Sequence, residues 1–180
     1  MKDLSLHILD VVQNSVSAGA KNIVVSIAED TKKDTLTILI QDDGKGMAPE
    51  IVARVTDPYY TTRTTRHVGL GLPLFKQNAE MSGGSFHIES QVGRGTVVKA
   101  IFGHSHFDRP PLGDMPGVLM MLVGSNTEIE YYFKYTKDSK EYVFDTREVK
   151  EVLEGLPLNE PAVLRQLKEM VGENLREVKS

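Results

Sequence analysis

The sequence contains no cysteine, which excludes disulfides and thiolate-held metals and suits a reducing compartment. It has no apolar run approaching the ~20 residues that a membrane-spanning helix needs. Its opening, MKDLSLHILD, turns acidic too early for a secretory signal. A basic surplus is lacking too. The 21 Lys and Arg stand against 25 Asp and Glu, a formal net charge of −4. That balance argues against a surface that binds nucleic acid by neutralising phosphates. These absences point to a cytoplasmic protein with neither nucleic acid nor membrane as partner.

What is present describes an ordinary globular chain. With 180 residues, 40% hydrophobic and 26% charged, there is enough material for one good core and a small second unit. The stretch around which the rest is organised is Asp42-Asp43-Gly44-Lys45-Gly46-Met47. It follows the apolar, β-branched run at 35–40, so a predicted strand ends in a carboxylate and then two glycines. A carboxylate there can accept from a base amino group, and glycines beyond it let a ligand approach closely. Asp-Gly is also ordinary turn chemistry, so this stretch gains meaning only from its company.

In chain order, 4–18 reads as an amphipathic helix with Leu4, Ile8, Val11, Val12 and Val16 on one face. His7, Asp10, Asn14 and Ser17 line another side, and Gly19 stops the helix. Strands are expected at 21–27 and 34–41, around a charged turn at 29–33. A short helix is expected from Pro49 to about 55. Residues 57–67 carry two arginines and four threonines without hydrophobic periodicity, and read as an exposed lid-like loop. Gly69-Leu70-Gly71-Leu72-Pro73 opens a helix to about Met81, with Pro73 in its first turn. The N-terminus of such a helix is a ready anion site. Strands follow at 85–90 and 96–102.

Residues 103–116, rich in Pro, Gly and His, read as a linker. His104 and His106 lie within it without an evident third ligand, which favours a plain polar loop over a metal site. After it come a short helix at 116–123, a hairpin at 128–144, and helices over 147–153 and 160–178. The expected fold is an α/β (α+β) two-layer sandwich, a mixed sheet with helices on one face. The expected division is a main α/β unit at 1–102, a linker at 103–116 and a small α+β extension at 117–180.

Four ordered stretches resemble the ATPase superfamily shared by histidine kinases, MutL, DNA gyrase B and heat-shock chaperones (GHKL, or Bergerat fold). ILDVVQNSVSAGAKNI is similar to its asparagine box, in a MutL-like version. QDDGKGM resembles the first glycine box. PYYTTRTTRHVGLGL is similar to the histidine-kinase aromatic box, lid and second glycine box. MSGGSFHIESQVGRGTVVKAIF resembles the kinase ending, with the glycine-threonine box at 93–96. The resemblance covers about the first hundred residues, and the last 78 lie outside it.

The resemblance implies ATP and Mg²⁺ as cofactors and assigns roles. Asp42 would accept the adenine amino group, and Thr96 would help order the base. Asn14 would give an amide oxygen to Mg²⁺. Gly44 and Gly46 would shape the adenosine floor. Gly69 and Gly71 would cradle the β- and γ-phosphates, with Arg63 and Arg66 of the lid offsetting their charge. The sequence departs from the family at Asp10, which is one methylene shorter than the glutamate that activates water in MutL-like and gyrase ATPases. It also has His67 where kinases carry the first glycine of their second box. No histidine sits in the usual phosphoacceptor setting, so a kinase of this kind would pass phosphate to a partner protein. Three functions stay open: a stand-alone histidine-kinase-like module, a MutL-like ATPase switch with Asp10 as base, or an anti-sigma-like nucleotide-binding regulator.

Overall fold

The computed structural model describes residues 2–57 and 68–180, with 68–70 described by backbone alone. The chain begins with helix α1 (Leu4–Ser17), followed by strands β1 (Asn22–Asp30) and β2 (Thr35–Asp42), the short α2 (Pro49–Val52) and α3 (Val68–Met81). Strands β3 (Ser85–Gln91) and β4 (Gly95–Gly103) precede α4 (Met115–Ser125). Strands β5 (Glu130–Lys137) and β6 (Lys140–Asp145), then helices α5 (Thr146–Leu153) and α6 (Pro161–Lys179), complete the order.

All six strands form one mixed sheet, in the order β3-β4-β2-β1-β5-β6. Four pairings are antiparallel, and β1 lies parallel to β5. Alternate residues are buried along the central strands: Ile23, Val25 and Ile27 on β1, Leu36, Ile38 and Ile40 on β2. Val98, Ala100 and Phe102 on β4 and Tyr131, Phe133 and Tyr135 on β5 continue the pattern. A period of two puts each set on one face. There it shares a core with Ile8 and Val12 of α1, Phe75 and Ala79 of α3, Leu119 of α4 and Val171 of α6. The expected α/β sandwich, a mixed sheet with helices, is the observed fold.

Local chemistry explains the boundaries. Asp3 caps α1 by accepting from the Leu6 N–H at 3.0 Å, and Gly19 leaves the helix at φ 77°, where a side chain would be strained. Asp145 caps α5 through the Arg147 N–H at 3.0 Å. Two expectations are corrected. The charged turn begins later than 29, because Glu29 stays in β1 and its carboxylate takes hydrogen bonds from the Tyr135 hydroxyl and, at 2.7 Å, from His104 Nε2. Pro73 lies inside α3, not in its first turn. Its missing N–H then falls opposite the Gly69 carbonyl.

The strands after residue 117 do not stand apart from the sheet, since β5 runs beside β1 from Asn22↔Glu130 to Glu29↔Lys137. The segment read as a linker is bonded to the start of α1. Leu4 N–H donates to the Pro111 carbonyl at 2.9 Å and Ser5 N–H to Leu112 at 2.8 Å. Among the described residues, no helix is long and apolar enough to cross a membrane.

Candidate functional site

The candidate site is built on α1, whose C-terminal half meets the end of β2 and whose middle meets the start of α3. At the first meeting Ser15 Oγ donates to Asp42 Oδ2 at 2.6 Å, while Gly44 N–H donates to Asp42 Oδ1 at 2.9 Å. Both donors fix the rotamer of a half-buried carboxylate at the last position of β2. Asp42 pairs in register with Thr96 of β4. The Thr96 hydroxyl lies 2.8 Å from Ser90 Oγ, which accepts from the Met47 N–H at 2.8 Å. The base-side carboxylate and threonine expected from the sequence are therefore neighbours, tied to the glycine turn through Ser90.

That turn is packed too closely for side chains. A Cβ on Gly44 would come within 2.9 Å of both Cβ and the carbonyl oxygen of Ala18, and one on Gly46 would sit 2.0 Å from the Gln91 carbonyl. Lys45 N–H donates to Ala18 O at 2.9 Å and Gly93 N–H to Lys45 O at 2.7 Å. The turn is thus clamped between the end of α1 and the β3–β4 hairpin. Asp43 faces away from this clamp. Burial alone would raise its pKa, but the Asn22 side chain and the backbone N–H groups of Asn22 and Lys21 hold it below the ordinary carboxylate value. Of the paired aspartates, Asp43 anchors the start of β1, while Asp42 is held by Ser15 and Gly44.

At the other end, a Cβ on Gly71 would come 3.2 Å from Asp10 Cβ. Asp10 carries an ion pair with Lys2 Nζ. Asn14, one turn further on, buries an amide nitrogen that has no hydrogen-bond partner. An amide's nitrogen and oxygen exchange by a flip, so this side chain is uncommitted and can turn its oxygen to a cation. From Asp10 to Ala18 the helix advances about 12 Å, which sets the spacing along α1 between Gly71 and the glycine turn.

The polar stripe predicted on α1 is not uniform. His7 is fully buried, stacked on Phe75 with ring centroids 5.5 Å apart, and its Nε2 meets Asn78 Nδ2 at 2.8 Å. Burial, reinforced by the nearby Lys2 ammonium, lowers its pKa to about 4. His7 is a neutral packing group, Asp10 and Asn14 are half buried, and Ser17 is exposed. Gly69 lies in the first turn of α3. Arg63, Arg66 and His67 lie outside the described residues. Ser15 was missed in the sequence, although a hydroxyl at the next position of the Ile8–Val11–Val12 apolar face was the available signal. Among the described residues, no group of three or more His, Cys, Asp or Glu could hold a metal ion.

The same site lies in the part of the chain that matches a known family. Residues 2–105 match the family described as histidine kinase-, DNA gyrase B- and HSP90-like ATPase. The chain belongs to that family. Among curated proteins it is 29% identical over 93 residues to sporulation kinase C of Bacillus subtilis, a match covering 52% of this chain and 22% of that one. It is 31% identical over 95 residues to the sensor histidine kinase ZraS of Salmonella typhimurium, covering 52% of this chain and 20% of that one. The chain thus spans about a fifth of the length of these relatives. Among solved structures, the Aquifex aeolicus MutL ATPase domain complexed with ADP superposes with a TM-score of 0.53 at 16% identity. That superposition covers 86% of this chain and 70% of the other, and at such identity it speaks for the fold. The family membership accords with the resemblance read from the four boxes.

Proposed function

We propose that this chain acts as a Mg²⁺-dependent ATP-binding module of the histidine-kinase type that passes the γ-phosphate to a partner protein in the cytoplasm. The reading rests above all on Asp42. Its two oxygens hold one protein donor each, from Ser15 and Gly44, and each keeps further accepting capacity. A carboxylate with no donor of its own suits the exocyclic amine of adenine and disfavours a carbonyl in the same place. Thr96 orders the base, and Gly44 and Gly46 form its floor. Gly69 and Gly71, at the N-terminal end of α3, take the β- and γ-phosphates there, and Arg63 and Arg66 offset their charge.

Asn14 fits the Mg²⁺ role, because its buried amide is an uncommitted polar group of the site and hard ions prefer oxygen ligands. When bound there, the ion supplies charge neutralisation to the phosphates. Transfer itself asks little covalent chemistry of the protein. The bond from the γ-phosphorus to its bridging oxygen breaks, a bond forms to a nucleophilic atom of the partner, and ADP leaves with the electron pair.

Calorimetry with Mg²⁺-ATP, followed by labelling of candidate partners with γ-labelled ATP, tests the proposal. Binding and label transfer are expected. ATP held with no partner ever labelled points instead to an anti-sigma-like nucleotide-binding regulator, and absent ATP binding ends the proposal. A second reading, an ATPase switch, is favoured by the packing of Asp10 against Gly71, which sets a carboxylate beside the proposed phosphate end. It predicts turnover that disappears in Asp10→Ala; an unchanged rate removes Asp10 from the mechanism.

A further inference from the structure

Lys2 is not needed to hold a base or a metal, yet its ammonium is spent on the carboxylate at the phosphate end of the site. Asp10 Oδ2, which it touches, would be 3.9 Å from a Cβ on Gly71. Lys2 Nζ is therefore one carboxylate oxygen away from the start of α3. The root of this lysine is fixed. The next residue, Asp3, accepts from Ser5 Oγ at 2.6 Å and caps α1, and Leu4 N–H is bonded to Pro111. A lysine stem has four rotatable bonds beyond that root, and the pair is about one-third exposed, 38% and 31% by side chain, so water and other anions compete for both partners.

Two charges at this end oppose each other. The N-terminus of α3 favours an anion, whereas Asp10 repels one. A terminal phosphate arriving beside Gly71 brings more negative charge than a single carboxylate and outcompetes it for a nearby ammonium. We propose that Lys2 reads the triphosphate: it covers Asp10 while the phosphate end is empty and moves to the terminal phosphate of bound ATP, which uncovers Asp10 at that moment. The inference rests on the ATP-binding reading and adds to it a residue that separates ATP from ADP.

Calorimetry on the full chain with adenosine, Mg²⁺-ADP and Mg²⁺-ATP tests this in the wild type, Lys2→Met, Lys2→Arg and Asp10→Asn. Lys2→Met is expected to lower ATP affinity about tenfold, as loss of one charged contact does, with ADP affected far less and adenosine unchanged. Lys2→Arg retains most of the ATP preference. Asp10→Asn raises ATP affinity in the wild-type background more than in Lys2→Met, because it removes the anion that competes for the ammonium. An ATP-to-ADP affinity ratio unchanged in Lys2→Met overturns the inference while leaving nucleotide binding intact. A wild type that binds none of the three ligands overturns both it and the ATP-binding reading.

Discussion

Ser15 and Asp42, 27 residues apart in sequence, meet at 2.6 Å, hydroxyl to carboxylate. This contact joins α1 to the last residue of β2. It holds one carboxylate oxygen, Oδ2, while Gly44 N–H holds the other, Oδ1. A base amine approaching Asp42 would meet an acceptor already held in place, so little ordering cost would fall on binding.

Asp42→Ala, or Asp42→Asn, is therefore expected to weaken ATP binding by ~1.5–3 kcal/mol, the range for a hydrogen bond to a charged group. Ser15→Ala leaves the acceptor in place but less firmly oriented, and is expected to cost about 1 kcal/mol or less. Calorimetry checks both, and undiminished ATP affinity in the Asp42 variants would remove this pocket assignment.

The glycines can be ranked by what surrounds them. At Gly46, φ 70°, a methyl group would sit 2.0 Å from the Gln91 carbonyl oxygen, and at Gly95, φ 112°, it would sit 2.0 Å from that of Asp42. Gly19 and Gly93 also have positive φ but open space around them. Alanine at 19 or 93 is expected to cost about 1 kcal/mol of backbone strain. Alanine at 46 or 95 adds a backbone collision and should cost well above that, with nucleotide affinity falling at the same time. Urea unfolding curves give the order, and equal costs at 46 and 93 would contradict it.

His7 makes stability depend on pH in a defined window. Its folded pKa, about 4, lies below the ordinary value near 6.5. Between these values the unfolded chain binds a proton that the folded chain refuses, so stability is full above 6.5 and falls as pH drops toward 4. Urea midpoints at pH 7, 5.5 and 4.5 should decline accordingly. The double variant His7→Leu/Asn78→Leu, which removes both partners of the buried contact, should flatten the part of the slope due to this residue.

Glu29 predicts an acid loss of a different kind. Burial alone would raise its pKa, but the Tyr135 hydroxyl and His104 outweigh burial and bring it below the ordinary carboxylate value. The stability it contributes is present above the ordinary value and is lost as pH falls through the folded one. Tyr135 itself is pushed up by burial and by this carboxylate. Tyr135→Phe is expected to cost about 1–2 kcal/mol at neutral pH, read as a lowered urea midpoint, since it strips a donor from a half-buried carboxylate where β1, β5 and the loop after β4 meet.

Much of this protein was readable from residue order alone. The 3.6-residue spacing of Leu4, Ile8 and Val12, the alternation in 35–40 and 96–102, and the four boxes specify helices, strands and family, because all of them are local patterns. Asp42, Gly44, Gly46, Gly71, Asn14 and Thr96 could be named as candidates on the same grounds. Local pattern could not say that Ser15 would reach the Asp42 carboxylate, that Asp43 would tie down the start of β1, that His7 would be buried on Phe75, or that Lys2 would cover Asp10. Nor could it place β5 beside β1, a parallel pairing between segments over a hundred residues apart. Those outcomes depend on side chains from distant elements competing for the same space and the same hydrogen bonds, and only the packed chain resolves that competition.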